Sequence, residues 1–369
     1  MKPISPILFL VFAVSLYGQN TVVVRGRVLD DSTRAPVLNA NVFIANSMMG
    51  TSSDTSGRYE LKGVLFGSHE LVASCLGYQM SVKRIQLFSA EEVNIDFMLK
   101  PKSVDLAPVE VVAMRPEEWK ENLKKFTKLF LGTTREAEQC VLNNPESLVF
   151  FSDPSGGLEA KSNSELIVDN GFLGYRLYVN LGIFKFDGRW LTSVWKVRFE
   201  ELLPGDDEQK SDWQERRKKA YKGSLRHFLR ALINGEPSEE GFQMLYSESA
   251  NIEKLGYYNP SLKRKHVLTQ VSPNVWRIQF RNSLAVTYDR LTLSSGFSQP
   301  TYEGRAGGIM RMNPVYRPQV SLLTLQKESL LVDLNGQLLD NLALKISGDW
   351  AKEGIAKSLP SEYGESVRK

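Results

Sequence analysis

The chain has 369 residues, 42% apolar and 24% charged, with 27 Gly and 16 Pro. That length is long for one ordinary domain and comfortable for two, and the composition excludes collagen-like, coiled-coil and disordered classes. The net charge of +4, from 46 basic and 42 acidic residues, is too balanced for a dedicated nucleic-acid binder, and three His with two Cys leave few ligands for a transition-metal site.

The first residues read as a targeting segment. Lys2 supplies the positive region, Ile7 to Tyr17 is an apolar run of 11 residues, and Gly18 is a small residue before Gln19. Residues 1–19 are therefore expected to be a signal peptide, the run being well short of the ~20 apolar residues of a membrane span. The first Cys is Cys75, so no lipid-anchor cysteine follows the cleavage point. No later stretch is apolar enough to cross a bilayer as a helix, so the mature chain is expected in the periplasm or otherwise exported, with outer-membrane association open. Export places Cys75 and Cys140 in an oxidising compartment. Alternation in Leu71-Val72-Ala73-Ser74-Cys75 puts Cys75 on the face of Leu71 and Ala73, where a free Cys acts as a small hydrophobe. Spacing alone does not decide whether the two pair.

Residues 20–112 read as short strands. Thr21 to Leu29, Asn41 to Ala45, Arg58 to Leu61, Glu70 to Leu76, Ser81 to Leu87 and Val93 to Leu99 are separated by turn clusters at Asp30–Pro36 and Gly50–Gly57. Regular short strands with turn signals between them predict a β-sandwich. The ordered set Gly26-x-Val28, Pro36-Val37-x-x-Ala40-x-Val42, Gly50-Thr51-x-x-Asp54-x-x-Gly57-x-Tyr59-x-Leu61, Ser74-x-x-Gly77-Tyr78 and Leu99 resembles the carboxypeptidase regulatory-like domain. That family is a seven-stranded sandwich related to transthyretin, common at the N-terminus of exported Bacteroidetes-type proteins. The resemblance implies an accessory module and no catalyst. Asp54 and Gly57 read as turn residues, since one carboxylate is not the oxygen cage that calcium needs. Val109-Glu110-Val111-Val112-Ala113 is similar to a segment that follows the same module in TonB-dependent transporters, but the rest of the chain is too short for a plug and a barrel of about 22 strands. It is read as an edge strand or linker.

Residues 113–369 read as a strand-rich α+β domain, giving a mainly β protein. Trp119, Leu123, Phe126, Leu129 and Phe130 fall at helical intervals after Pro116, and Arg135 to Leu142 is expected as a second short helix. Strands are predicted at Ser147–Phe151, Leu158–Lys161, Glu165–Val168, Gly174–Phe186 and Val194–Glu200. In the long one, Tyr175, Leu177, Val179, Leu181 and Ile183 share a face, opposite Tyr178, Phe184 and Phe186. Tyr175, Tyr178, Trp190 and Trp195 invite a sugar-stacking reading, but aromatics at strand spacing are more often core. Trp213 to Ile233 is helical with a break at Gly223-Ser224. Strands return at Val275–Phe280, Leu284–Tyr288, Val320–Gln326 and Ser329–Val332, followed by an Asp333–Gly336 turn and a helix over Asp349–Ala356. Phe130-Leu131-Gly132, Asn170 to Tyr175, Ala220-Tyr221-x-Gly223-Ser224-x-x-His227 to Leu232, Gly348-Asp349-Trp350 and Leu359-Pro360-x-x-Tyr363 resemble the C-terminal region of exported Bacteroidetes proteins that carry the regulatory-like module. This implies an architecture and a compartment, and no activity.

No catalytic or metal-binding set is found. His69 precedes Glu70 without a second His at metalloprotease spacing, and His227 and His266 have no carboxylate close in sequence. Nucleophile-elbow, phosphate-loop and paired-cysteine motifs are missing. Among many acidic residues, no pair of the glycosidase kind can be singled out. No cofactor is expected. The candidate site is a basic block: Arg216, Arg217, Lys218, Lys219, Lys222, Arg226 and Arg230 crowd into 15 residues. Such a block is usually a solvated face. Alternatively Lys219, Lys222, Arg226 and Arg230 share one side and bind an anion. The expected function is an exported, non-catalytic envelope binding or scaffold protein, its partner an envelope glycan, lipopolysaccharide or an outer-membrane protein. The alternative is a hydrolase of envelope polysaccharide or peptide.

Overall fold

The computed structural model describes residues 21–87, 92–102, 116–153, 155–249, 261–289 and 318–364. The expected signal segment, residues Val109–Ala113 and the boundary at 112/113 lie outside the described residues. The described chain is mainly β.

The N-terminal strands are β1 (Thr21–Asp30), β2 (Asn41–Ile44), β3 (Gly50–Ser52), β4 (Arg58–Leu65), β5 (Gly67–Ser74), β6 (Ser81–Leu87), β7 (Glu92–Asn94) and β8 (Phe97–Leu99). They form two sheets, β4-β1-β7 with β8 also on β1, and β3-β2-β5-β6. Strands β7 and β8 both run parallel to β1 and keep one register, Val23 opposite Glu92 and Val28 opposite Phe97. They are one strand interrupted at Ile95-Asp96, so these segments fill the seven strand places expected. The interruption explains Gly26. A Cβ there would collide with the Ile95 carbonyl, which also accepts from the Tyr59 hydroxyl at 2.5 Å. Alternating Val22, Val24, Val28, Tyr59, Leu61, Leu71, Ala73, Phe97 and Leu99 form the core. Asp54 Oδ1 accepts from the Ser56 and Arg58 amides at 2.8 Å, and Gly57 holds φ +71 under the Val28 carbonyl, as a turn requires.

The rest of the described chain holds two further cores. The first belongs to helix α1 (Pro116–Leu131) and strands β9 (Cys140–Leu142), β10 (Leu148–Ser152), β11 (Leu158–Ser162), β12 (Leu166–Asn170), β13 (Tyr175–Phe186) and β14 (Leu191–Glu201). Their order is β10-β11-β13-β12-β9, with β14 also on β13. The Arg135–Leu142 stretch is not one helix: a 3-10 turn ends at Gln139 and Cys140 begins β9, paired with β12. The long strand also departs from simple alternation. Leu181 faces Trp195 and Ile183 faces Val194, so Gly182 is a bulge that reverses the faces. Phe184 therefore turns into the core beside Phe126, and Ile183 turns outward.

Helix α2 (Asp207–Tyr221) and helix α3 (Leu225–Asn234) lead to the other core. Around α3 stand β15 (Phe242–Ser247), β16 (Ser261–Leu262), β17 (Leu268–Ser272), β18 (Val275–Ile278), β19 (Ser283–Tyr288), β20 (Gln319–Leu325), β21 (Leu330–Asp333) and β22 (Leu344–Gly348). They form the sheets β16-β15-β19-β20-β22 and β17-β18-β21. The expected helix over Asp349–Ala356 is two 3-10 turns, because Gly354 at φ +55 parts them where the chain presses on Leu131 and Gly132.

The segments quoted from the C-terminal region meet around this last stretch. Thr133 N donates to Lys352 O at 2.9 Å, Asn170 Nδ2 to Ala356 O at 2.7 Å, and Trp350 Nε1 to Gly223 O at 2.7 Å. Their shared task is to tie residues 350–356 across both cores.

Candidate functional site

The basic block does not assemble a common face. Helix α2 stops at Tyr221, Lys222 turns extended, and Ser224 starts α3 by accepting from the His227 amide at 3.1 Å. The break rotates one helix relative to the other, so periodicity does not carry across it. Lys219 is exposed and lies 3.6 Å from Glu215, and Lys222 is exposed at the helix end. Arg226 instead donates to the carbonyls of Leu359 (3.2 Å), Pro360 (2.8 Å) and Tyr363 (2.9 Å). Arg230 is only 6% exposed. Arg217, read as part of the charged face, is buried too. It donates to the Leu173 and Gly174 carbonyls, reaches Glu201 at 2.6 Å and covers the Tyr175 ring. The aromatic quartet also disperses. Tyr175 is core, Trp195 packs edge-on to Phe130, and Tyr178 is stacked by Arg198.

What the fold does build is a cavity of about 550 Å³ where the sandwich meets both other cores. The seam around it is backbone. Asn46 N donates to Val197 O at 2.6 Å, Phe199 N to Ser47 O at 2.8 Å, and Ser361 N to Asn46 O at 2.7 Å. Lys196 pairs with Glu70, and Ser74 Oγ meets Asn180 Oδ1 at 3.3 Å. These contacts cover the outer face of β2 and β5, which explains why Phe43 and Val72 are fully buried although they alternate with the sandwich core. The cavity walls include Met49, Leu65 and Ile85 of the sandwich, Trp195 and Val197 of β14, Leu225 and Leu229 of α3, and the turn after β21. In that turn Asp333 Oδ1 accepts from the Asn335 and Gln337 amides at 2.9 Å, and Gly336 at φ +74 lets the loop sit on the stems of Arg226 and Arg230.

Charge in the walls is mostly engaged. Glu353 pairs with Lys357 at 2.7 Å, and Glu362 Oε1 accepts from Met48 N at 3.0 Å. Burial raises the carboxyl pKa of both. Asp333 is fully buried, and burial pushes its carboxyl up to about 6. Its Oδ2 and the Ser68 Oγ are buried without a hydrogen-bond partner. His69 also lines the cavity; its Nε2 lies 2.7 Å from Leu65 O and burial lowers its pKa. Sequence reading found none of these wall residues as a group. The Asp333–Gly336 turn, the His69-Glu70 pair, Trp195 and Arg226 were each noted for other reasons, because the walls come from seven separate stretches of chain. His227 does have a carboxylate partner, Glu240 at 3.4 Å, which is close in space though not in sequence. Among the described residues no group of His, Cys, Asp and Glu is placed to hold a metal ion, and both cysteines are free.

Residues 24–111 match the family model described as CarboxypepD_reg-like domain. The N-terminal sandwich is a CarboxypepD_reg-like domain. The match covers the segments on which the resemblance was read and stops short of the two further cores. A search of curated proteins found no match. Solved structures overlap it only locally. The pilus 2b backbone protein of group B streptococcus aligns at 15% identity over 22% of this chain and 42% of its own, with a TM-score of 0.20. A cohesin–X-dockerin complex from Acetivibrio cellulolyticus aligns at 21% identity over 21% and 56%, with a TM-score of 0.18. A candidate carbohydrate-binding protein from Bacteroides uniformis aligns at 12% identity over 47% and 64%, also at 0.18. TM-scores this low do not establish a common fold, and the functional reading rests on the CarboxypepD_reg-like domain and the geometry.

Proposed function

We propose that the protein is an exported, non-catalytic binding or scaffold protein of the cell envelope. The observation that carries this reading is the use of charge at the interdomain cavity. Glu70, Glu362 and Arg226 each hold one layer against another through Lys196, Met48 N and three carbonyls, and Glu353 is held by Lys357 within its own turn. A general acid and base must exchange protons with a substrate, and groups committed to a seam are poorly suited to that. The N-terminal module fits the same reading, being an accessory domain in its family. Export rests on residues 1–19, and the envelope partners it would meet are a glycan, lipopolysaccharide or an outer-membrane protein.

A second reading, a hydrolase of envelope polysaccharide or peptide, is favoured by one observation: Asp333 is an acid whose pKa burial raises to about 6, with Oδ2 unpartnered. Calorimetric titration of the purified chain with lipopolysaccharide and envelope polysaccharide, beside an assay for released reducing sugar or peptide, separates the two. Saturable binding without product supports the binding protein; steady product formation that Asp333→Asn removes supports the hydrolase.

A further inference from the structure

The cavity has the size of a small-molecule site, since such sites run about 300–1,000 Å³. Its walls come from all three cores, so an occupant would touch each of them. Met49, Leu65, Ile85, Trp195, Leu225 and Leu229 give it an apolar surface. The polar wall is selective in what it leaves over. Glu70 is taken by Lys196, Glu353 by Lys357, and the Arg226 guanidinium by three carbonyls. An anionic head would stand beside the Glu70, Asp333, Glu353 and Glu362 carboxyls. A cationic head would stand beside Arg84, Arg226 and Lys357. Either would disturb existing pairs at a desolvation cost. Among the described lining residues, the buried hydrogen-bonding capacity left unused is one carboxylate oxygen, Asp333 Oδ2, and one hydroxyl, Ser68 Oγ; behind the turn, Arg230 Nη1 is also buried without a partner and its charge offsets that of Asp333. A carboxylate accepts, and a hydroxyl both donates and accepts, so hydroxyl groups complement the two together.

We infer that the interdomain cavity binds a neutral, hydroxyl-bearing amphipath, its apolar body against the Trp195 and Leu229 walls and its hydroxyls toward Asp333 and Ser68. The class includes sugars carrying an alkyl or terpenoid body. This inference rests on the binding reading above and deepens it.

The probe is octyl β-glucoside below its micelle-forming concentration, with octanoate and octylammonium as ionic comparators of equal chain length. Calorimetric titration of the full chain should give one saturable site for the glucoside and affinities about tenfold weaker for both ions. Leu225→Trp and Met49→Trp fill the cavity from different layers. Each should weaken glucoside binding about tenfold while the chain still melts cooperatively. Using two variants guards against one failing to fold. Asp333→Asn should keep a weakened site, because an amide still donates to a hydroxyl oxygen. Equal or tighter binding of either ion overturns the inference. So does the lack of a saturable site, or binding undiminished in a folded filling variant. Lipopolysaccharide binding that both filling variants leave intact, with no saturable glucoside site, overturns this inference and leaves the binding reading standing.

Discussion

Asp333 shows what burial does to one carboxyl. Folding raises its pKa from 3.8 to about 6, so the folded state holds the proton more tightly than the unfolded chain. The associated stability is fully present below about pH 4 and is lost as pH rises through 6, a change on the order of 3 kcal/mol. Glu353 and Glu362 shift in the same direction for the same reason. Urea melts of wild type and Asp333→Asn between pH 4 and 7 should diverge: the wild type loses stability across that range and the variant loses less. A parallel pair of curves would mean the carboxyl is solvated. Gly26 makes a second case. Because a Cβ there meets a backbone carbonyl with no side chain able to yield, Gly26→Ala should cost about 3 kcal/mol or unfold the sandwich, read from the urea midpoint. The glycine was legible as a motif position. Its reason, a strand broken at Ile95 on the neighbouring place in the sheet, was not, because that partner lies 69 residues further on.

At the scale of elements, the α2–α3 break decides what the basic residues do. Lys219 sits among surface ion pairs, which contribute little. Arg226 secures the segment 359–363 through three charge-assisted hydrogen bonds from its two terminal nitrogens. Arg226→Met should therefore cost about 2 kcal/mol or more and expose that segment to limited proteolysis, whereas Lys219→Gln should leave the melt almost unchanged. The quadruple replacement of Lys219, Lys222, Arg226 and Arg230 by Gln should lower the melting temperature clearly, since Arg230 is buried; an unchanged melt would restore the exposed-face reading. Helical break, N-cap and apolar stripe were all readable from Gly223, Ser224, Phe228 and Leu232. Burial of the two arginines was not, because charge is visible in sequence and its neighbours are not. The bulge at Gly182 similarly escaped a strict period-two reading.

For the whole molecule, the family match and the separate N-terminal core make an independent unit the expectation: residues 20–112 expressed alone should give β-type far-UV dichroism and a cooperative melt. That fragment should also self-associate more readily than the full chain, because Phe43 and Val72 lose their cover, and light scattering would detect this. If residues 1–19 act as a signal, intact mass of protein recovered from the periplasm should correspond to a start near Gln19 or Asn20. A full-length mass in the cytosol would contradict export. Sandwich and compartment expectations came from local patterns, which short windows preserve. The cavity was out of reach because it exists only where distant stretches meet.

That meeting has a temporal side. Glu362 accepts from the Met48 amide across 314 residues of chain, and Ser361 bonds Asn46 nearby. A ribosome delivering about 5–20 residues per second would complete the sandwich long before the segment that fastens it is made. Contacts of such separation close late, after the entropy of a very long loop has been lost. The Phe43 and Val72 face therefore stays open until β14 arrives to bond Asn46 and Ser47, and Ser361 and Glu362 close the seam last.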